Sequence, residues 1–248
     1  MPQQEWYKHW FNSPYYYLLY RHRDTAEAAQ FTEQLLPYLR AEPPETILDV
    51  ACGKGRYSRV LAEKGFDVTA FDLSETAILE ALHFEKENLH FYQHDMRRPF
   101  WINYFDLAFN FFTSFGYFRT RREHDDSIRT IAQSLKPDGY LVLDYLNTHY
   151  TASHLKNTEE KRIDHLHFRI SRWQDEEHFF KQVQLQNKEG GLSHLATERI
   201  MKFSLGDFTE MFSYQGLQVQ EVFGDYALSS YHTKLSPRMI VVAKKVKR

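Results

Sequence analysis

The sequence predicts an α/β fold: a doubly wound, mostly parallel, seven-stranded sheet with a small antiparallel β lobe inserted after the fifth strand. Three observations predict it. Short apolar runs alternate with helical stretches between residues 46 and 147, the spacing of βαβ units. The first of those runs stops at a glycine-rich turn, CGKG. Beyond Asn147 the rhythm changes to period-two alternation in HLHFRISRW, HFFKQVQLQ and ERIMKFS, which is antiparallel β character.

Each element has a local reason. Residues 1–23 are dense in aromatics (Trp6, Tyr7, Trp10, Phe11, Tyr15, Tyr16, Tyr17, Tyr20), so the segment is expected to pack on something rather than trail as a tail. Asp24 followed by Glu27 predicts a capped helix from Ala26 to Leu39, ended by Pro43-Pro44. Thr46 to Ala51 is a buried strand, Arg56 to Lys64 a helix, and Gly65 its break. Asp67 to Phe71 is the second strand, with Ser74 capping a helix to about Phe84. Leu89 to Gln93 and Phe105 to Phe112 are the third and fourth strands. Thr120 with Glu123 caps a helix to Leu135, Lys136-Pro137-Asp138-Gly139 is a turn, and Tyr140 to Leu146 is the fifth strand. Gly190-Gly191 turns the lobe. Ser204 with Asp207 caps a helix ending at Gly216, and Leu217 to Phe223 and Met239 to Ala243 close the sheet, with KKVKR as a solvated end.

Composition narrows the functional classes. Charged residues make up 26% and apolar ones 42%, the balance of a soluble globular protein. Lys plus Arg number 31 against 33 Asp plus Glu, so no global basic field exists for a nucleic acid or an anionic membrane. Cys52 is the single cysteine, the N-terminus lacks signal-peptide features, and no apolar run approaches a membrane span; a cytoplasmic location is expected. The histidines lack zinc-site spacing, and no metal is expected.

The chemistry concentrates in LDVACGKGRYS, Leu48 to Ser58, a strand running through glycines into a helix. Gly53 and Gly55 let the backbone turn tightly and approach a ligand. A dinucleotide fingerprint wants a third glycine where Ser58 stands, and Asp49 puts a carboxylate where pyrophosphate would be repelled and an ammonium welcomed. Asp72 ends the second strand, where a carboxylate accepts from ribose hydroxyls; its structural alternative is a helix cap beside Ser74. Asp95 and Met96 follow the third strand as candidates to meet an adenine amine and ring. Asn110 and Phe111 lie at the carboxyl end of the fourth strand, the ligand edge of such sheets.

Taken in order, LDVACGKGRYS, VTAFDLSETAI, QHDMRRPF, FDLAFNFFTSFGYF, LKPDGYLVLDYLN and the closing SPRMIVVAKK resemble the class I S-adenosylmethionine-dependent methyltransferases. The resemblance implies S-adenosyl-L-methionine as cofactor and a Rossmann-like core over residues 46–147 that binds it, preceded by the arm and helix of 1–45. The lid lobe of 148–203 and the closing elements of 204–248 complete the division. It places Asp49, Ala51, Gly53 and Gly55 at the methionine end. Asp72 falls on the ribose, Leu73 beside the adenine, and Asp95 and Met96 on its amine and ring. Asn110 and Phe111 flank the sulfonium.

The aromatic arm is similar to that of a small-molecule N-methyltransferase subgroup, which adds Tyr16, Tyr20 and Arg23 as contacts and makes the lobe a roof over an acceptor pocket. Cofactor binding is then expected to be independent of the lobe. Amino-sugar dimethyltransferases carry a histidine base after the fourth strand; the corresponding residue here is Tyr117, a departure that argues against an amino sugar. Tyr117, Tyr145 and His149 are the base candidates, if a base is needed at all. The expected partner is a small-molecule methyl acceptor, with a homodimer left open and neither nucleic acid nor membrane. The competing readings are an NAD-dependent oxidoreductase, which Asp49 and Ser58 disfavour, and a non-catalytic cofactor-binding protein.

Overall fold

A computed structural model describes residues 5–21, 25–186 and 191–246 of the chain. Two short helices come first, α1 (Trp6–Trp10) and α2 (Pro14–Leu19), then α3 (Thr25–Leu39). The alternating body follows: β1 (Thr46–Val50), α4 (Arg56–Glu63), β2 (Asp67–Asp72), α5 (Glu75–Ala81), β3 (Leu89–Gln93), β4 (Phe105–Asn110), α6 (Arg121–Ser134) and β5 (Leu135–Leu146). The lobe comprises α7 (Thr148–Ser153), β6 (Thr158–Ile163), β7 (Leu166–Gln174), β8 (His178–Gln186) and β9 (Leu192–Met201). The chain closes with α8 (Leu205–Tyr214), β10 (Leu217–Phe223) and β11 (Arg238–Lys245).

The main sheet has seven strands in the order β10-β11-β5-β4-β1-β2-β3. Strands β1 to β5 pair in parallel, and β11 runs antiparallel to both its neighbours. The order reverses beside β1, and the carboxyl ends of β1, β2 and β4 open a crevice there. Strand residues alternate between two cores, as a pleated strand requires. Ile47, Leu107, Phe109 and Val142 pack under Phe31 and Leu61 on the α3–α4 face. Leu48, Ala108, Leu141 and Leu143 pack under Ile131 and Phe208 on the α6–α8 face. Two of the three expected capping boxes are present, Thr120 with Glu123 opening α6 and Ser204 with Asp207 opening α8; the third rests on Asp24.

Some boundaries differ from expectation. The Lys136-Pro137-Asp138-Gly139 turn is absorbed into β5 as a bulge, the register jumping from Phe105 opposite Leu135 to Leu107 opposite Tyr140. Strand β4 stops at Asn110 rather than Phe112, because Phe112 and Thr113 turn left-handed at φ 68° and 56°. The helix after Ser74 ends at Ala81, and a 3-10 turn covers Leu82–Phe84. The last strand runs on to Lys245, so the expected solvated end begins later. Asp24 and Gly190 lie outside the described residues. Among the described residues, no helix is long and apolar enough to cross a membrane.

The lobe is a four-stranded antiparallel sheet, β6-β7-β8-β9. One of its faces carries Phe168, Ile170, Val183 and Ala196, and these share a core with Trp10 and Leu19 of the arm. Burying each large apolar side chain there contributes about 1.5–3 kcal/mol. A polar link reinforces the contact. Trp10 Nε1 donates to Glu198 Oε1 at 2.8 Å, and Lys181 Nζ reaches the same oxygen at 2.9 Å and also Tyr20. The arm is therefore seated on the lobe as well as on the main body.

Candidate active site

Three cavities meet at the carboxyl end of the parallel strands. The first, of 120 Å³, has Asp72, Leu73, Asp95 and Met96 on one side and arm residues Tyr7 and Phe11 on the other. The second, of 330 Å³, is lined by Asp49, Tyr57 and Phe111. These two share the arm tyrosines Tyr16 and Tyr17, the turn residues Ala51 and Gly53, and Phe112 with Ser114. The third, of 380 Å³, lies between the arm (Glu5, Trp6), the start of α6 (Arg119, Glu123) and the lobe (Thr197, Arg199). It meets the first at Tyr7 and Tyr117.

The turn after β1 explains the joint between the first two cavities. Gly53 has φ +58°, and a Cβ there would meet nothing within 4 Å, so the bare backbone faces open space. Gly55 differs. It has φ +76° as the N-cap of α4, and its Cβ would stand 2.5 Å from the Phe91 ring. Gly55 lines none of the three cavities; core packing, not ligand approach, demands a glycine there.

The acids have different tasks. Asp49 is 2% exposed and accepts from Ser58 Oγ at 2.6 Å. Burial raises its pKa to about 6, with the nearby Asp72 adding to the shift. Asp72 accepts from Gly53 N and Ser74 N, both at 2.8 Å, and burial raises its pKa as well. It therefore shapes the glycine turn and the start of α5 while still facing the first cavity, and each carboxylate oxygen keeps a lone pair to offer. Asp95 lines the first cavity and is already engaged by an arginine. Arg97 grips both its oxygens, with Nη2 to Oδ2 at 2.6 Å and Nε to Oδ1 at 3.0 Å. The same guanidinium reaches Glu123 at 2.7 Å and Glu5 of the arm at 2.9 Å. Burial pulls Glu5 upward, but hydrogen bonds from Lys8, Tyr7 and Arg97 more than offset it and bring its pKa down to about 2.

The remaining candidates sort by place. Ala51, Leu73, Met96, Phe111, Tyr16 and Tyr20 line the first or second cavity. Asn110 lines none of the three; its Nδ2 donates to Val50 O at 3.0 Å and ties β4 to β1. Arg23 lies outside the described residues. Tyr117 lines two cavities, its hydroxyl donates to Thr113 O, and burial raises its pKa well above the ordinary tyrosine value. Tyr145 is not brought to the site: it is fully buried in the α6–α8 core with its hydroxyl on Met201 O. His149 lies on α7 and lines a separate surface cleft.

Sequence reasoning missed Tyr17, Tyr57 and Phe112. Tyr57 stands in the first turn of α4, and its buried hydroxyl has no hydrogen-bond partner among the described residues. A buried polar atom of this kind awaits a ligand or water. Its place directly after the glycine turn was the available signal; Phe112 offered none, because its exposure to both cavities depends on a left-handed backbone.

Residues 20–222 match the family described as methyltransferase domain, and the chain belongs to it. It is 36% identical over 124 residues to the YqeM protein of Bacillus subtilis (strain 168), covering 45% of this chain and 47% of that one. It is 30% identical over 132 residues to the dTDP-3-amino-3,4,6-trideoxy-alpha-D-glucopyranose N,N-dimethyltransferase of Streptomyces venezuelae, covering 52% of this chain and 54% of that one. The chain thus spans about half the length of these curated relatives. In fold, it is similar to an S-adenosylmethionine-dependent methyltransferase from Clostridium acetobutylicum ATCC 824, with a TM-score of 0.78 at 17% identity over 94% of this chain and 96% of that one.

Proposed function

We propose that the chain transfers a methyl group from S-adenosylmethionine to a small-molecule acceptor through a nitrogen or oxygen nucleophile. One observation carries this reading: of two cavities joined at the bare backbone of Gly53, one is lined by the acid Asp49 and the other by the acid Asp72. The residues fit that cofactor. An ammonium beside Asp49 would restore the charge that burial disfavours. Asp72 retains acceptor capacity for ribose hydroxyls, Leu73 and Met96 offer an apolar seat for adenine, and the Tyr57 hydroxyl awaits a polar group. Two buried carboxylates suit a pyrophosphate poorly, which weighs against NAD.

S-adenosylmethionine, when bound, supplies an electrophilic methyl on a sulfonium that is already a good leaving group. What the protein contributes is placement and exclusion of water. Tyr16, Tyr17 and Phe112 wall the joint of the two cavities with aromatic faces, a surface suited to a cationic centre. The acceptor enters by the third cavity, which meets the first at Tyr7 and Tyr117. Tyr117 serves there as a wall and not as a base, since its hydroxyl is a bound donor of raised pKa. An amine acceptor must then arrive unprotonated and lose its proton to solvent after transfer. Residues 46–147 with 204–248 make the cofactor-binding body in this reading, the arm adds Tyr16 and Tyr17 to its walls, and arm and lobe together complete the acceptor chamber.

The test is titration calorimetry with S-adenosylhomocysteine against NAD, followed by methyl-labelled S-adenosylmethionine offered with a small-molecule cell extract. Saturable S-adenosylhomocysteine binding and label recovered in a small molecule support the reading. Binding of NAD alone overturns it, and cofactor binding with no transfer to any fraction reduces the chain to a binding protein.

A further inference from the structure

The wall between the two cofactor cavities depends on a turn that the chain should resist. Phe112 and Thr113 are consecutive non-glycine residues in the left-handed region, at φ 68° and 56°. Side chains other than glycine rarely stay there unless their surroundings hold them. Phe112 faces both cavities, so the fold of this turn decides the shape of their joint.

What holds the turn lies behind it, away from both cavities. Asp144 of β5 is fully buried. Its Oδ2 accepts from Phe112 N at 2.7 Å, and its backbone oxygen accepts from Thr113 N at 2.9 Å. The same Oδ2 accepts from the Tyr226 hydroxyl at 2.9 Å. Arg238, the first residue of β11, donates to Oδ1 through Nε at 2.8 Å and lies 2.6 Å from it through Nη2. Nη2 also donates to Thr113 Oγ1 at 2.7 Å. The guanidinium carbon stands 5.9 Å from the centre of the Phe112 ring. One carboxylate and one guanidinium thus hold the backbone, the hydroxyl and the ring of the turn together. Neither Asp144 nor Arg238 lines any of the three cavities.

We propose that Asp144 and Arg238 are positioning residues: an ion pair on a buried carboxylate that sets the Phe112–Thr113 turn and so aligns the two halves of the cofactor site. The proposal rests on the cofactor reading above and adds to it residues that touch no ligand. A ligand spanning both cavities needs the joint in register, whereas one confined to the first does not. Losing the clamp should therefore separate the two classes of ligand, a separation that general destabilisation would not produce.

The test is calorimetry on the full chain with two probes, S-adenosylhomocysteine and adenosine. Asp144→Asn keeps the shape of the side chain and removes its charge, so the guanidinium loses its counter-ion. Arg238→Lys keeps a cation and removes the two-pronged grip that also reaches Thr113. Asp144→Asn is expected to weaken S-adenosylhomocysteine by about 10-fold or more and adenosine by less than about 2-fold, with Arg238→Lys intermediate. If Asp144→Asn does not fold, Arg238→Lys and Thr113→Val, which deletes the hydroxyl that Arg238 grips, carry the test. Folded variants that bind both probes like the parent overturn the proposal, as does equal loss of both. Failure of the parent itself to bind S-adenosylhomocysteine would instead overturn the cofactor reading.

Discussion

Two glycines of one motif, only two residues apart, should fail in different ways when replaced by alanine. At Gly53 the added Cβ meets nothing within 4 Å, so folding loses only the left-handed penalty, about 1–2 kcal/mol. At Gly55 the same penalty applies, and the Cβ also arrives 2.5 Å from two atoms of the Phe91 ring. That ring is 4% exposed inside the α3–α4 core, and relieving such an overlap costs a further ~1–3 kcal/mol. Gly55→Ala should therefore be destabilised by roughly 2–5 kcal/mol, and Gly53→Ala by roughly 1–2. Ligand binding should rank them the other way. The new methyl at 53 stands in the joint of the cofactor cavities and should weaken S-adenosylhomocysteine about 10-fold or more, a loss of at least ~1.4 kcal/mol. Folded Gly55→Ala should bind nearly as the parent does. Urea unfolding without ligand gives the first ranking and calorimetry on the folded fraction the second. Equal stabilities would refute the Phe91 argument, and undiminished affinity in Gly53→Ala would refute the placing of the ligand against that backbone.

Four further outcomes are expected. S-adenosylhomocysteine should raise the melting temperature by binding the native state, and Asp72→Ala should lose most of that rise; a full rise in the variant removes Asp72 from the ligand. Burial lifts the pKa of Asp49 from an ordinary 3.8 to about 6 in the folded state, so its contribution to stability is full below the lower value and is lost as pH rises through the higher. An ammonium ligand restores its charge, so S-adenosylhomocysteine affinity should climb between pH 5 and about 7 with proton release, and Asp49→Asn should flatten the climb in calorimetry; an unchanged profile would detach Asp49 from the ligand. The two faces of the lobe should separate: Glu198→Gln or Phe168→Ala loosens the arm and weakens S-adenosylhomocysteine, whereas Thr197→Val in the third cavity leaves it unchanged and lowers only methyl transfer. Adding S-adenosylhomocysteine should protect the Trp6–Tyr20 segment from protease, and equal cleavage with and without it would reduce the arm to ordinary packing.

Local pattern determined more of this protein than its size would suggest. Short apolar runs alternating with helical stretches, the Ser74 cap, the Thr120–Glu123 capping box and one glycine turn were enough to place the strands and helices of residues 46–147 in order, because each of these signals acts within a few residues. The position of a carboxylate at the end of β1 and another at the end of β2 followed from the same local reading. Tertiary structure alone decided which of the named side chains share a cavity. Gly55 is set by Phe91, which no local rule pairs with it. Asp95 is gripped by Arg97, and that arginine in turn holds Glu5 from the distant arm. Tyr145 faces the core rather than the ligand because β5 presents alternate residues to opposite sides. The arm was legible as something that packs, but not as something seated on the lobe: Trp10 and Glu198 meet across 188 residues of chain. Periodicity fixes which side of an element is apolar, whereas the element that covers it is chosen by the closure of the whole chain.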